Sequence, residues 1–251
     1  MEVTAVTELP EVRPGDDLAE LIDARVEFED GDVLTVASTI VSKAEGRGVD
    51  LETFEPGERA KDIASKIGDA AGERKDPRFA QAVLEESEEI LLEAPFILAK
   101  TRFGHTTVNA GIDRSNVPGA DLLLLPEDPT ASAERLSAAL GVPVIVTDTS
   151  RRPFRIGQRG VAIGWAGVPA CRDWRGERDR EGRELTATVE AVVDELAAAA
   201  NLVTSEGAGG RPAAVVRDFA FGDHDGQDKL FRDRETDLIR DALLAYEYTS
   251  D

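Results

Sequence analysis

Fifty acidic side chains against 29 basic ones leave this 251-residue chain with a formal net charge of −21. Any fold it adopts must keep those carboxylates at the surface, because an unpaired buried charge is among the costliest groups to desolvate. The acids are spread along the chain and not gathered in a tail, and runs such as Glu85-Glu86-Ser87-Glu88-Glu89 fall inside otherwise periodic segments. Lysine is scarce beside arginine. Evenly distributed acid on a folded chain matches adaptation to high salt, where ions screen the self-repulsion. A soluble acidic protein without that adaptation would look the same. Either way the field repels nucleic acid and anionic membranes, so neither is expected as a partner.

The interior must be built from small aliphatic side chains, because aromatic residues make up only 5% of the chain. A hydrophobic fraction of 41% in periodic segments argues against disorder. The length allows one large domain or two intimate lobes, with the internal boundary unassigned. No basic segment followed by an apolar stretch opens the chain, and no apolar run is long enough to cross a bilayer, so the cytoplasm is the default location. Cys171 is the sole cysteine. It excludes an internal disulfide and reads as a buried or half-buried thiol.

Strands are expected at Val3-Thr4-Ala5-Val6, at Val33-Leu34-Thr35-Val36-Ala37, between Ile97 and Val108, at Val142 to Val146 and at Ala213 to Val216. Helices are expected after an N-cap at Asp16, from Pro56 to about Glu73, from Pro77 to about Leu92, from Thr130 to Leu140 with Gly141 as its stop, from Thr186 to Leu202, and from Asp233 to Tyr246. The charged stretch from Arg172 to Arg183 reads as a loop or an exposed hairpin. Intermixed strands and helices without repeats point to an α+β or complex α/β architecture.

Several nucleotide signatures are missing. There is no G-x-x-x-x-G-K-[ST], and Gly207-Ala208-Gly209-Gly210 follows a helix and precedes a strand, the wrong context for a dinucleotide fingerprint. Only His105 and His224 occur, which excludes a His-rich zinc site and leaves hard, oxygen-bound Mg²⁺ or Mn²⁺ as the expected metal. Three loops carry candidate ligands. In Asn109-Ala110-Gly111-Ile112-Asp113-Arg114-Ser115-Asn116-Val117, Asp113 and Asn116 around a tight turn can face one metal–phosphate complex, or simply close Asx hydrogen bonds. Asp148-Thr149 follows an apolar strand and can face a cleft or cap a helix. Arg151, Arg152 and Arg155, clustered around Pro153-Phe154, fit an anionic ligand or a set of surface ion pairs. In Thr204-Ser205-Glu206-Gly207-Ala208-Gly209-Gly210-Arg211, glycine amides can approach phosphate while Glu206 holds a cation; a helix C-cap and flexible connection is the plainer reading.

These stretches, together with Leu9-Pro10-Glu11-Val12, Ser42-Lys43-Ala44-Glu45-Gly46, Leu124-Leu125-Pro126-Glu127-Asp128-Pro129 and Ala162-Ile163-Gly164-Trp165-Ala166-Gly167, stand in the order found in one family. From Leu9 to about Arg217 the chain resembles the coenzyme F420-0:L-glutamate ligases, also called F420 γ-glutamyl ligases. With the charge pattern, the resemblance points to a halophilic source. It implies a two-lobed α+β fold that forms an intertwined homodimer. It also implies ligation of L-glutamate to the lactyl carboxylate of coenzyme F420-0, then of a second glutamate through a γ-linkage, with GTP consumed, a divalent metal required and K⁺ assisting. Carried over by position, Asp113 and Asp148 hold one metal, and Thr149 and Glu206 meet a second. GTP is contacted by Leu9, Pro10, Glu11, Val12, Ser38, Thr39, Lys43, Asn116 and residues 204–211, with Lys43, Asp113 and Asp148 as the catalytic set. Arg151 and Glu206 depart from the family's frequent Gly and Gln, and a carboxylate at 206 binds metal more strongly than an amide would. Other classes compatible with such loops are a GTP-binding regulator and a metal-dependent phosphohydrolase.

The charge pattern makes one prediction independent of function. The thermal unfolding midpoint rises with KCl concentration as the acidic surface is screened. A midpoint indifferent to KCl would contradict the salt-adaptation reading.

Overall fold

A computed structural model describes residues 1–71, 75–114, 117, 119–207 and 209–246. Its strands are β1 (Glu2–Ala5), β2 (Val33–Ala37), β3 (Gly48–Val49), β4 (Ser87–Leu92), β5 (Leu98–Thr101), β6 (Thr106–Val108), β7 (Leu122–Leu123), β8 (Val144–Arg151), β9 (Gln158–Ala166), β10 (Cys171–Asp173), β11 (Val189–Glu190), β12 (Ala213–Arg217) and β13 (Asp225–Gln227). The helices are α1 (Leu18–Asp23), α2 (Ser38–Ala44), α3 (Glu58–Ala71), α4 (Pro77–Glu85), α5 (Pro129–Leu140), α6 (Val192–Thr204) and α7 (Leu238–Leu244). The architecture is mixed α+β, as expected. The chain divides into two compact units, Met1–Gly46 with Pro126–Leu230 and Arg47–Leu125 with Phe231–Asp251. Among the described residues no helix is long and apolar enough to cross a membrane.

The first unit is built on a five-stranded sheet in the order β1-β12-β2-β8-β9, where only the β2–β8 pair is parallel. Val33, Ile145, Ala162 and Val216 on one face pack with Val192, Val193 and Leu196 of α6. By strand alternation Leu34, Val36, Val144 and Val146, all fully or nearly buried, belong to the opposite face. Between Val146 and Thr147 the β8–β9 register slips by one residue of β9, a bulge that reverses the alternation along that strand. Consequently Gly160 lies against α6 and Gly164 against the start of α5. A Cβ on Gly160 would stand 2.4 Å from the Ala197 carbonyl oxygen, and one on Gly164 2.4 Å from that of Pro129. The Ala162 amide beside the bulge donates to Asp194 Oδ1 of α6 at 2.9 Å. A second, three-stranded sheet, β11-β10-β13, completes this unit. Cys171 on β10 is buried and free, and burial pushes its thiol up, so it is the inert thiol expected.

The second unit holds the antiparallel sheet β4-β5-β6, the pair β3-β7, and α3 and α4. Leu51, Phe54, Ile63, Ile67, Phe79, Val83, Ile97 and Leu122 form its core. Arg240 of α7 donates to Glu89 of β4, Nε to Oε2 at 2.8 Å, and this contact holds the Glu89 carboxyl below its ordinary 4.5.

Several boundaries differ from the sequence reading, each for a local reason. Asp17, not Asp16, caps α1, accepting from Ala19 and Glu20, while Asp16 takes the Arg13 amide at 2.8 Å. The helix begun at Pro77, with Asp76 as its cap, stops at Glu85 rather than near Leu92. Residues 87–92 instead form β4, paired antiparallel with β5, where Glu88 meets Lys100 at 2.9 Å, and Glu89 meets Arg240 of α7. The helix expected from Thr186 begins at Val192, since Glu190 pairs with Arg172 across β10–β11. The tail forms a 3-10 turn and then the short α7. The expected end of α3 at Glu73 lies outside the described residues.

Because the atoms facing Gly164 are helix backbone that cannot rotate aside, Gly164→Ala is expected to cost roughly 3 kcal/mol. Urea unfolding would read this as a lowered midpoint at unchanged slope. A midpoint equal to the parent's would contradict the close approach of α5 to β9.

Candidate functional site at the carboxyl edge of the sheet

Strands β1, β2 and β8 run in one direction, while β12 and β9 run against them. The carboxyl ends of the first three and the amino ends of the other two therefore share one edge of the sheet. Ligands of mixed sheets gather at the carboxyl ends of parallel strands, where loops and helix starts converge. This edge collects every described candidate of the first unit except Lys43, which lies in the last turn of α2 and is tied back to the edge by its side chain.

From β1, the Val6 amide donates to the Ala213 carbonyl at 2.8 Å and the chain continues to Leu9, Pro10, Glu11 and Val12. Val12 is buried and Glu11 exposed. From β2 the chain passes directly into α2, so Ser38 and Thr39 open that helix, with Ser38 buried. Lys43 Nζ meets Glu11 Oε1 at 2.5 Å, its side chain only 14% exposed against 59% for the glutamate. A largely buried ammonium is thus held by the carboxylate of an exposed glutamate.

On β8 the structure corrects one expectation. Asp148 and Thr149 do not follow the strand but lie in it, because β9 pairs with β8 through Arg151, with Asp148 opposite Val161 and Thr149 opposite Gly160. The β2 ladder, by contrast, ends at the Ala37–Thr147 pair, so residues 148–151 extend past β2. Alternation sends Thr149 to the face of Ile145 and α6, and Asp148 to the other face.

The loop after α6 closes the edge. Its end is fixed by the Ala37 amide donating to the Pro212 carbonyl at 2.8 Å. Thr204 is the last helical residue, and Ser205 has φ 61° and ψ 167°, a region otherwise left to glycine. Such a residue costs about 1–3 kcal/mol and persists where the surroundings hold it, commonly at binding loops. The Gly207 amide lies 3.3 Å from Ser205 Oγ, the Gly209 amide donates to the Gly207 carbonyl at 2.8 Å, and Gly210 has φ 59°. Gly209 sits beside the Arg211 guanidinium, whose atoms are 3.3 Å from where its Cβ would be. Ala208 lies outside the described residues.

Glu206 Oε1 accepts from Thr149 Oγ1 at 3.2 Å and from Asn201 Nδ2 at 2.7 Å. The structure therefore brings together two residues expected to share a metal, and adds Asn201, which the sequence reading missed. Its signal was a lone amide in the alanine-rich run of α6, one turn before the loop. Two oxygens 3.2 Å apart fit neighbouring corners of an octahedron with bonds of about 2.1 Å, whose edges are about 3.0 Å. Among the described residues no three His, Cys, Asp or Glu side chains cluster to hold a metal. Mg²⁺ takes only one or two carboxylates and completes its shell with water and substrate phosphate. A hard divalent cation fits this donor set.

In the second unit, Asp113 forms a two-bond bridge with Leu123, at 3.0 and 2.9 Å. Asn109, Ala110 and Gly111 before it have φ 55°, 54° and 71°, three successive left-handed residues. Gly111 is required there, because a Cβ would stand 2.5 Å from Leu125 Cδ1. Asn116 lies outside the described residues.

Comparison with known proteins assigns the family. The profile of the F420-0:Gamma-glutamyl ligases matches residues 7–218. The chain is 71% identical over 248 residues to the coenzyme F420:L-glutamate ligase of Natronomonas pharaonis, covering 99% of this chain and 98% of that protein. The chain belongs to the F420-0:gamma-glutamyl ligase family. It is 66% identical to the coenzyme F420:L-glutamate ligase of Haloarcula marismortui, over the full length of both, and 53% identical to that of Archaeoglobus fulgidus, over 97% and 98% of the two chains. The matched region includes each site stretch described above.

Proposed function

We propose that this protein ligates L-glutamate to coenzyme F420-0 at the expense of GTP, forming an amide on the lactyl carboxylate and then a γ-linked second glutamate. The observation that carries the reading is the 71% identity, over 99% of the chain, to a protein named coenzyme F420:L-glutamate ligase. The grouping of first-unit candidates at one sheet edge agrees with it.

A carboxylate is a poor electrophile and must be activated before an amine can displace one of its oxygens. In the proposed course the lactyl carboxylate attacks the γ-phosphorus of GTP, the bond to the β-phosphate oxygen breaks, and GDP leaves. The glutamate amine then attacks the acyl carbon of the resulting acyl phosphate. A C–N bond forms, inorganic phosphate departs with the C–O electron pair, and the amine loses a proton. Positioning and charge neutralisation supply most of the acceleration in such transfers. Lys43 would exchange the exposed Glu11 carboxylate for a phosphate oxygen. The backbone amides of residues 205–211 and the hydroxyls of Ser38 and Thr39 would hold the triphosphate, with Leu9, Pro10 and Val12 beside the nucleotide. Mg²⁺ or Mn²⁺, when bound, would neutralise phosphate charge. Thr149 and Glu206 would be ligands of one such ion, and Asp113 and Asp148 are the expected ligands of another. Dependence on K⁺ and a homodimeric state come with the same family reading.

The test is coupled GDP release. The parent sustains GDP release over many turnovers only when both glutamate and F420-0 are present. Asp148→Ala loses turnover by on the order of a hundredfold or more, the scale for removing a preorganised electrostatic group, at an unchanged unfolding midpoint. Continuous GDP release with neither glutamate nor F420-0 present would instead identify a phosphohydrolase, and an Asp148→Ala variant with full activity would remove that residue from the metal site.

A further inference from the structure

Glu45, Asp128-Pro129 and Gly164 belong to motif stretches quoted in the sequence, yet they take no part in the ligation chemistry above. The structure links them within the first unit. Helix α2 has only seven residues and no side-chain cap at its start, so its placement depends on ties from outside it. Ile40 and Val41 bury its middle. At its end the Gly15 amide donates to the Ala44 carbonyl at 2.8 Å, and the Glu45 carboxylate reaches across to α5. There Glu45 Oε1 accepts from Ser132 Oγ at 2.5 Å and from Arg135 Nη2 at 2.7 Å. The same Arg135 nitrogen lies 2.9 Å from Ser132 Oγ and closes the triangle. Ser132 is only 2% exposed, and the Glu45 side chain 23%. A carboxylate is disfavoured at the end of its own helix, but this one stands over the first turn of α5, where a helix dipole favours it. That first turn is itself fixed. Asp128 Oδ1 accepts from the Ala131 amide at 2.9 Å, and the Pro129 backbone is seated against Gly164 of β9.

We propose that Glu45 and Ser132 are positioning residues for Lys43. Helix α5, seated on β9 at Gly164, holds the end of α2 through the Ser132–Glu45 bond, and so sets where the Lys43 ammonium meets the triphosphate. The proposal rests on the ligase reading, in which Lys43 takes a phosphate oxygen, and names what places that lysine. Lys43 stands two residues before Glu45 in the last turn of the helix, so any shift of that end carries its backbone with it. Its side chain is only 14% exposed. A lysine meets phosphate as a point charge, and the strength of that contact depends on distance. Glu45 and Ser132 do not themselves reach the ligand. The hydroxyl is buried and spent on the carboxylate, and α2 begins at the sheet edge, which puts Glu45 seven residues, or about 10 Å at helical rise, from Ser38. Ser132 is closed to solvent and to a partner subunit alike, so the tie does not depend on the oligomeric state.

The experiment is equilibrium GTP binding to the full-length protein in KCl, titrated into the millimolar range, with thermal unfolding confirming that each variant is folded at the assay temperature. Ser132→Ala and Glu45→Ala are each expected to weaken GTP binding about tenfold. Glu45→Gln, whose amide oxygen still accepts from Ser132, is expected to stay within about twofold of the parent. The decisive measurement is the double-mutant cycle with Lys43→Gln. A residue that acts through Lys43 has nothing left to position once the ammonium is gone, so Ser132→Ala adds no further loss in that background. Glu45→Ala carries the same cycle where Ser132→Ala fails to fold. An equal loss with and without the lysine shows a general disturbance of the fold and overturns the proposal. Parental GTP affinity in Ser132→Ala and Glu45→Ala overturns it outright, with the ligase reading intact. Glu45→Gln as weak as Glu45→Ala overturns it in favour of a direct role for the carboxylate. Lys43→Gln at parental affinity takes the lysine out of the GTP site and the positioning role with it. A parent that binds no GTP removes the GTP-dependent ligase reading itself.

Discussion

Strand β8 is paired along its whole length with β9 but with β2 only over its first four residues, and the polar part of the candidate site depends on that difference. Where β2 turns aside into α2, β8 continues with one neighbour, carrying Asp148 and Thr149 past the end of the parallel ladder. The bulge in β9 allows this pairing to persist while the two glycines of that strand address opposite faces. Gly160 admits α6 and Gly164 admits α5, each at backbone distance. The position of α6 in turn sets that of Asn201 and of Glu206 after it, which meets Thr149 across the edge.

The same arrangement explains how so acidic a chain could accommodate anionic substrates. Its interior is aliphatic, and among the described residues every acid but Asp32, which is buried and paired with Arg217, is at least partly exposed; many are matched locally, as in Glu45 with Arg135 and Glu29 with Arg217. The cationic groups near the sheet edge are arranged differently. Lys43 is held by an exposed glutamate. Arg151, Arg152 and Arg155 have no carboxylate at all among the described residues. Local positive charge is thus concentrated at this edge, inside a field that is negative elsewhere.

Much of this was legible in the sequence. Helix α5 was readable from its left-handed Gly141 stop, while its start was placed one residue late, the Asp128 cap and Pro129 having gone unread. The aliphatic strands β2 and β12 were readable from their unbroken apolar runs. The polar half of β8 was not, since Thr147-Asp148-Thr149-Ser150 reads as a loop unless the partner strand is known. Residues 87–92 were misread for the converse reason: their helical periodicity yields to antiparallel pairing with β5, a partner that lies further along the chain. Within the site, the ordered motifs identified the loops, but no sequence pattern reveals that Asn201 touches Glu206. That is a consequence of where α6 ends.

Product mass gives the most direct test of the account. Purified protein in concentrated KCl, given F420-0, L-glutamate, GTP and Mn²⁺, should raise the mass of F420-0 by one and then two glutamyl units, and only when GTP and glutamate are both present. GTP bound but unconsumed, with F420-0 at its original mass, would contradict a ligation site at this edge and leave a nucleotide-binding protein in its place.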